Sequence, residues 1–203
     1  LDIDQSEIDN LKNKIPELPD ERKKRYINEY NLSNYDASVL TSDKSVSDFF
    51  DNVIKVDESL KQSSKIVVNW ITSELFSLLN ENDLEISDSP ISPENLGKLV
   101  RSIKDDVISG KIAKDVLLEM FNTKKDPDKI IEEKGLKQVT DISQIQNIVQ
   151  EVINENQKMV EQYLSGKDKL LGFFVGQAMK KSQGKANPKI LNDILKERLS
   201  KKN

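Results

Sequence analysis

Residues 164–190 read LSGKDKLLGFFVGQAMKKSQGKANPKI, and the punctuation of this run decides the fold. Gly-Lys pairs at 166–167 and 184–185 bracket a helix-permissive apolar stretch that carries Gly172 and Gly176. Asn187-Pro188 then reads as a helix start, with Asn as the cap and Pro in the first turn. The run therefore predicts one helix over Lys167–Ser182, ending at Gly184, and a second beginning at Asn187.

Working outward, Asp141 and Gln144 form a capping-box signature ahead of a long stripe. The stripe comprises Ile142, Ile145, Ile148, Val149, Val152, Met159, Val160 and Tyr163, with Gly166 as the residue that closes it. Beyond Asn187, Ile190, Leu191, Ile194, Leu195 and Leu199 mark an inner face. Three helices over roughly 60 residues make a small bundle, near the lower limit for a self-sufficient core.

The front half is also helical, and no alternating strand segment of useful length occurs. Pro16 and Pro19 punctuate the start, and a helix follows from Pro19-Asp20 to Tyr30. Arg22 to Arg25 form a charge run, read first as a solvated helix face and second as phosphate contacts. Short helices are expected at Tyr35–Leu40 and Ser47–Val56. The strongest apolar stripe runs over Ser59–Leu79 and contains Trp70, the single tryptophan, read as a core anchor. Residues 80–92 form a loop, Ser92-Pro93 starts a helix through Val107 that Gly110 ends, and Lys111–Phe121 makes another. Lys124-Lys125-Asp126-Pro127-Asp128 is the composition break. It predicts a helical domain over 1–125, a connector over 126–140 that allows motion, and a tail domain over 141–203. The expected fold class is all-α.

Composition limits the chemistry. There is no cysteine and no histidine, so disulfides, thiolates, the usual zinc ligands and the commonest general base are all missing. Asp105-Asp106 and Glu132-Glu133 are adjacent pairs that point about 100° apart on a helix and cannot clasp one ion. No catalytic residue, metal site or cofactor site is expected in this chain. No run approaches the roughly 20 apolar residues that cross a bilayer, and the opening LDIDQSEIDN is acidic rather than export-like. A cytoplasmic location is expected. The chain opens on Leu1 rather than Met, which reads as a piece of a longer protein.

Charge is unevenly spread. From residue 142 onward there are 11 Lys and Arg against 6 Asp and Glu, while the first 141 residues hold 20 against 29. A basic tail on an acidic body points either to a polyanion partner for the tail or to a lysine-rich solvated surface. Four Gly-Lys pairs (97–98, 110–111, 166–167 and 184–185) lack the spacing of a phosphate loop, and helix-end glycine accounts for most of them. Gly97 falls in mid-pattern and has no such account. Gly172 and Gly176 each cost up to about 1 kcal/mol in a helix interior. Close approach of a neighbouring helix is the first explanation, and a flat surface against a sugar–phosphate backbone is the second. The candidate nucleic-acid-binding residues are Lys180, Lys181, Lys185 and Lys189, which flank one helix end, the loop and the next helix start. Lys167, Lys169 and Asn187 complete the set.

The run LSGKDKLLGFFVGQAMKKSQGKANPKILNDIL (164–195) resembles the end of the B subunits of the aspartyl/glutamyl-tRNA amidotransferases, a tail shared with YqeY-like proteins. IPELPDERKKRYINEYNLSNYDASVLT (15–41), NWITSELFSLLN (69–80), SGKIAKDVLLEMF (109–121) and IIEEKGLKQVTD (130–141) match in the same order, so the resemblance covers nearly the whole chain. One departure is Asn31, where the family pattern leads one to expect Gly; Asn tolerates the same left-handed backbone. The resemblance implies a C-terminal portion made of a helical domain and a tail domain, whose partners are tRNA and the other amidotransferase subunits. ATP binding and activation of the misacylated residue would belong to an N-terminal domain with no counterpart here. It implies tRNA docking by shape and phosphate contacts. A helical module that docks partner subunits, its tail charge incidental, is the alternative.

Overall fold

The computed structural model describes residues 17–200, and among these the fold is all-α, with one isolated parallel bridge, Val139 to Ala186. The expected break at Pro16 lies outside the described residues. Contacts divide the chain after Gly97 into two compact units.

In the first unit, α1 (Pro19–Tyr30) begins on a proline and ends at Asn31, which takes φ 52° in the left-handed region. Ser33 caps α2 (Asn34–Thr41), and Asp43 caps α3 (Lys44–Ile54) by accepting from the Ser45 and Val46 amides. The buried rings of Tyr26 and Phe50 meet edge to face at 4.9 Å and, with Leu40, Val53 and Ile54, form the core of these helices. The stripe over Ser59–Leu79 is not one helix. It divides into α4 (Ser59–Gln62), α5 (Ser64–Asn69), a π-helical segment (Trp70–Leu75) and α6 (Phe76–Glu81). The wider π turn keeps Trp70, Ile71 and Leu75 buried together, so Trp70 is the core anchor its position predicts. Ser92 Oγ accepts from the Asn95 amide at the start of α7 (Pro93–Lys104). Gly97 on α7 is explained by packing: a Cβ there would lie 2.8 Å from Val56 Cγ2.

The second unit continues with α8 (Gly110–Thr123) and α9 (Pro127–Glu133), which pack together across the composition break at 124–128. Gly110 does not end a helix. Ser109 accepts from the Ile112 amide, so Gly110 opens α8. After α9, Gly135 takes φ 59° and the chain enters residues 136–141. The end of the connector is paired through its backbone. The Gln138 amide donates to the Val107 carbonyl (2.7 Å), the Val139 amide donates to the Lys185 carbonyl (2.7 Å), and the Val139 carbonyl accepts from the Asn187 amide (3.1 Å). Backbone pairing needs no large apolar side chain, which is why composition missed it.

The tail comprises α10 (Ile142–Glu155), α11 (Gln157–Leu164), α12 (Leu170–Lys181) and α13 (Pro188–Ser200). Asp141 caps α10 at the Gln144 amide (3.0 Å), as the sequence predicts. The long first helix is interrupted at Asn156, whose side chain donates back to the Val152 carbonyl at 2.8 Å, a local bond that competes with the helix ladder. Ile145, Val149, Val152, Val160, Phe174, Ala178, Leu191, Leu195 and Leu199 form one core, built entirely from residues 139–199.

Candidate nucleic-acid interface

Helix α12 buries only Phe174 and Ala178 fully. The opposite stripe holds Lys169, Gly172, Phe173, Gly176, Gln177 and Lys180, spaced three and four residues apart and so on one side of the helix. All are exposed except half-buried Phe173. Among the described residues, a Cβ added at Gly172 or Gly176 would meet nothing within 4 Å. Close helix packing, the first explanation for these glycines, is therefore overturned. Among the described residues nothing covers this face at its two glycines, and a lysine stands at each end. Lys169 and Lys180 stand eleven residues apart, about 16 Å along the axis.

The loop after α12 is closed by backbone hydrogen bonds. The Gln183 amide donates to the Lys180 carbonyl (3.0 Å) and the Gly184 amide to the Met179 carbonyl (2.7 Å), a Schellman ending in which Gln183, at φ 55°, and not Gly184 is the first left-handed residue. Gly166 does close α11 in the expected way, with φ 101°. Ala186 is fully buried, and its amide donates to Ser182 Oγ.

The candidate residues divide by position. Lys180 and Lys181 end α12 and line one notch, Lys185 lies in the loop that follows, and Lys189 is in the first turn of α13. Lys167 and Lys169 precede α12 and lie at its other end, so the structure does not bring all six lysines together. Lys167, Lys169, Lys180 and Lys189 are exposed and Lys185 is half-buried; among the described residues none of these five joins an ion pair. Lys181 does. Its Nζ lies 2.7 Å from Glu151 Oε2 and 2.6 Å from Glu155 Oε1, and these hydrogen bonds raise the pKa of the ammonium. Asn187 is engaged structurally. Its Oδ1 accepts from the Lys189 and Ile190 amides, and its Nδ2 faces the Gln138 side chain at 3.1 Å.

Two groups escaped sequence reasoning. The Glu151–Glu155 pair was visible as an i, i+4 repeat, but its lysine partner lies on another helix. Arg22 and Arg25 are not a solvated face. Arg22 meets Asp48 at 2.7 Å and Asp51 at 3.0 Å, and Arg25 meets Glu17 at 2.7 Å and Asp51 at 2.9 Å. The Arg25 guanidinium also lies 5.0 Å from the Tyr26 ring centre. The signal was the matched i, i+3 spacing of Arg22/Arg25 and Asp48/Asp51 on helices that the short loops fold back on one another. Among the described residues no cluster of three or more metal-ligating side chains occurs, and no helix is long and apolar enough to cross a membrane.

A model of the GatB domain, shared with YqeY, matches residues 48–199. The chain belongs to the GatB family. It is 47% identical over 199 residues to the B subunit of the aspartyl/glutamyl-tRNA(Asn/Gln) amidotransferase of Alkalilimnicola ehrlichii, covering 98% of this chain and 41% of that protein. The corresponding B subunit from Rickettsia rickettsii is 51% identical over 193 residues, covering 95% of this chain and 39% of the relative. The Wolbachia pipientis protein of the same name is 47% identical over 200 residues, covering 98% and 41%. This GatB-family chain thus spans about two fifths of the length of these relatives. Its basic end lies within the matched segment.

Proposed function

We propose that this chain is the tRNA-binding C-terminal module of the B subunit of a glutamine-dependent tRNA amidotransferase. The assembly would convert misacylated Glu-tRNA(Gln) or Asp-tRNA(Asn) to Gln-tRNA(Gln) or Asn-tRNA(Asn). Its relatives carry the amidotransferase name, and the uncovered glycine face of α12 between Lys169 and Lys180 carries the reading. A helix side with glycine on two successive turns lets a sugar–phosphate backbone approach closely at those turns, and flanking ammonium groups supply the phosphate contacts. Such contacts fix position rather than read bases, so recognition rests on the shape of the folded RNA. The module itself performs no chemistry in this reading: it holds the substrate for the rest of the assembly, where ATP is used.

Titrating labelled tRNA with the 203-residue chain at several salt concentrations tests this. Affinity should fall steeply with salt, by nearly one power of salt concentration per phosphate neutralised. Replacing Lys180, Lys181, Lys185 and Lys189 together by Glu should weaken binding about tenfold or more. Equal affinity in that variant would refute the basic-edge reading.

A second reading applies to the first unit, where residues 17–97 hold 16 Asp and Glu against 8 Lys and Arg. Tyr35 there is 76% exposed, and tyrosine is enriched where proteins meet. This acidic unit suits docking of partner subunits better than docking of RNA. If a Tyr35→Ala variant held the other amidotransferase subunits as well as the parent chain does, that support would be removed.

A further inference from the structure

Among the candidate lysines, Lys181 is the one held by carboxylates. Glu151 and Glu155, one turn apart on α10 and 61% and 60% exposed, each offer an oxygen to its Nζ. Beside this contact is a notch of about 320 Å³ lined by Val152, Glu155, Gln177, Lys180 and Lys181. Gln177 and Lys180 also belong to the open glycine face of α12. Glu155 lines the notch with the two lysines, and Glu151 also pairs with Lys181, so in the free chain carboxylates offset the positive charge a polyanion would meet.

We propose that this notch is a phosphate site for an RNA backbone, masked in the free chain by Glu151 and Glu155. The inference rests on the tRNA-binding reading above. The two carboxylate oxygens take two of the three donors on the ammonium, standing where phosphate oxygens would stand. When RNA docks, Lys181 exchanges these carboxylates for a phosphate, and Lys180 and the Gln177 amide supply further donors. Solvent-exposed pairs of this kind are weak, so the exchange needs little driving force. Lys181 remains protonated throughout, since both the carboxylates and a phosphate favour its charged form. The mask lowers affinity for any single phosphate and therefore favours an RNA that also reaches Lys169, Lys185 and Lys189. Shape selectivity is thereby gained from a site that reads no base.

The test compares tRNA binding by the 203-residue chain and by a Glu151→Gln, Glu155→Gln variant. The double variant should bind about three- to tenfold tighter, and its plot of log affinity against log salt should steepen by about one unit. Lys181→Ala should weaken binding more in the double-variant background than in the parent, because only there is the ammonium already free. Asp115→Asn with Glu132→Gln removes the same charge from exposed sites on α8 and α9 and should change affinity less than about twofold. Parent-like affinity and slope in the Gln variant would overturn the masked site, as would an equal gain in the control. Either result would leave the tRNA-binding reading standing if the parent still binds in a salt-dependent way. Absence of salt-dependent binding by the parent would remove both.

Discussion

At Gly97 an added Cβ would lie 2.8 Å from Val56 Cγ2, 2.9 Å from Val56 Cβ and 3.2 Å from the Val53 carbonyl. Branched Val56 cannot swing its Cβ aside, so α7 must shift. Gly97→Ala should therefore destabilise the chain by about 1–3 kcal/mol, read as a lower denaturation midpoint with the slope unchanged. The same substitution at Gly172 or Gly176 meets open space, and both positions have helical backbone. There alanine should stabilise by up to about 1 kcal/mol through helix propensity. If an RNA backbone approaches this face, however, the added methyls will hold it off, and Gly172→Ala with Gly176→Ala should weaken tRNA binding even as the melting temperature rises. Opposite movements of stability and affinity would separate a docking face from a merely tolerated glycine. Unchanged affinity in the stabilised double variant would indicate that the glycines serve no contact.

The contact between α1 and α3 depends on charge as well as on Tyr26 and Phe50. The Arg25 guanidinium holds the Glu17 carboxyl below the usual carboxylate range, and the Lys44 ammonium, with Arg22, does the same for Asp48. Depressed carboxylates stabilise the fold above their unfolded pKa near 4, and that contribution is lost as pH falls through the lower folded values. Stability should thus be flat down to about pH 5 and fall below about pH 4. These groups are partly exposed, which limits the network to on the order of 1 kcal/mol. Asp48→Asn should flatten the acid limb in a pH series of denaturation midpoints; an unaltered limb would indicate that other carboxylates set it. The helices themselves were legible because caps and periodicity are local: Ser92, Asp141 and Asn187 cap where the sequence places them, whereas the Asp43 cap starts α3 three residues before the expected Ser47. What was hidden depends on a second element. The fate of Arg22 and Arg25, the acidic partners of Lys181 and the pairing of Val139 all require knowing which helix or loop lies opposite. The break at Asn156 and the π turn at Trp70 were missed for another reason, since an apolar stripe continues through both without losing its phase.

Taken whole, the chain separates acidic and basic surface by segment, and its basic segment carries a private core. Every fully buried residue of that core lies between Ile145 and Leu199, with Val139 packed against it. The connector adds backbone bonds from Val139 to Lys185 and Asn187, both inside the same segment, and only the Gln138–Val107 bond among these reaches back to the preceding helices. We propose on this basis that the tail is a separable folding unit. A fragment of residues 137–203 retains the core, the Val139 pairing and the Asn187 cap, and lacks the Val107 carbonyl that accepts from the Gln138 amide. About 65 residues without disulfide or metal are expected to yield on the order of 3–5 kcal/mol. The fragment should therefore show helical circular dichroism and one cooperative transition at a lower temperature than the full chain. It should also keep the salt-dependent tRNA affinity, because Lys167 through Lys189 travel with it. A gradual melt would mean that the tail borrows order from residues 98–136, making the connector part of its core rather than its boundary.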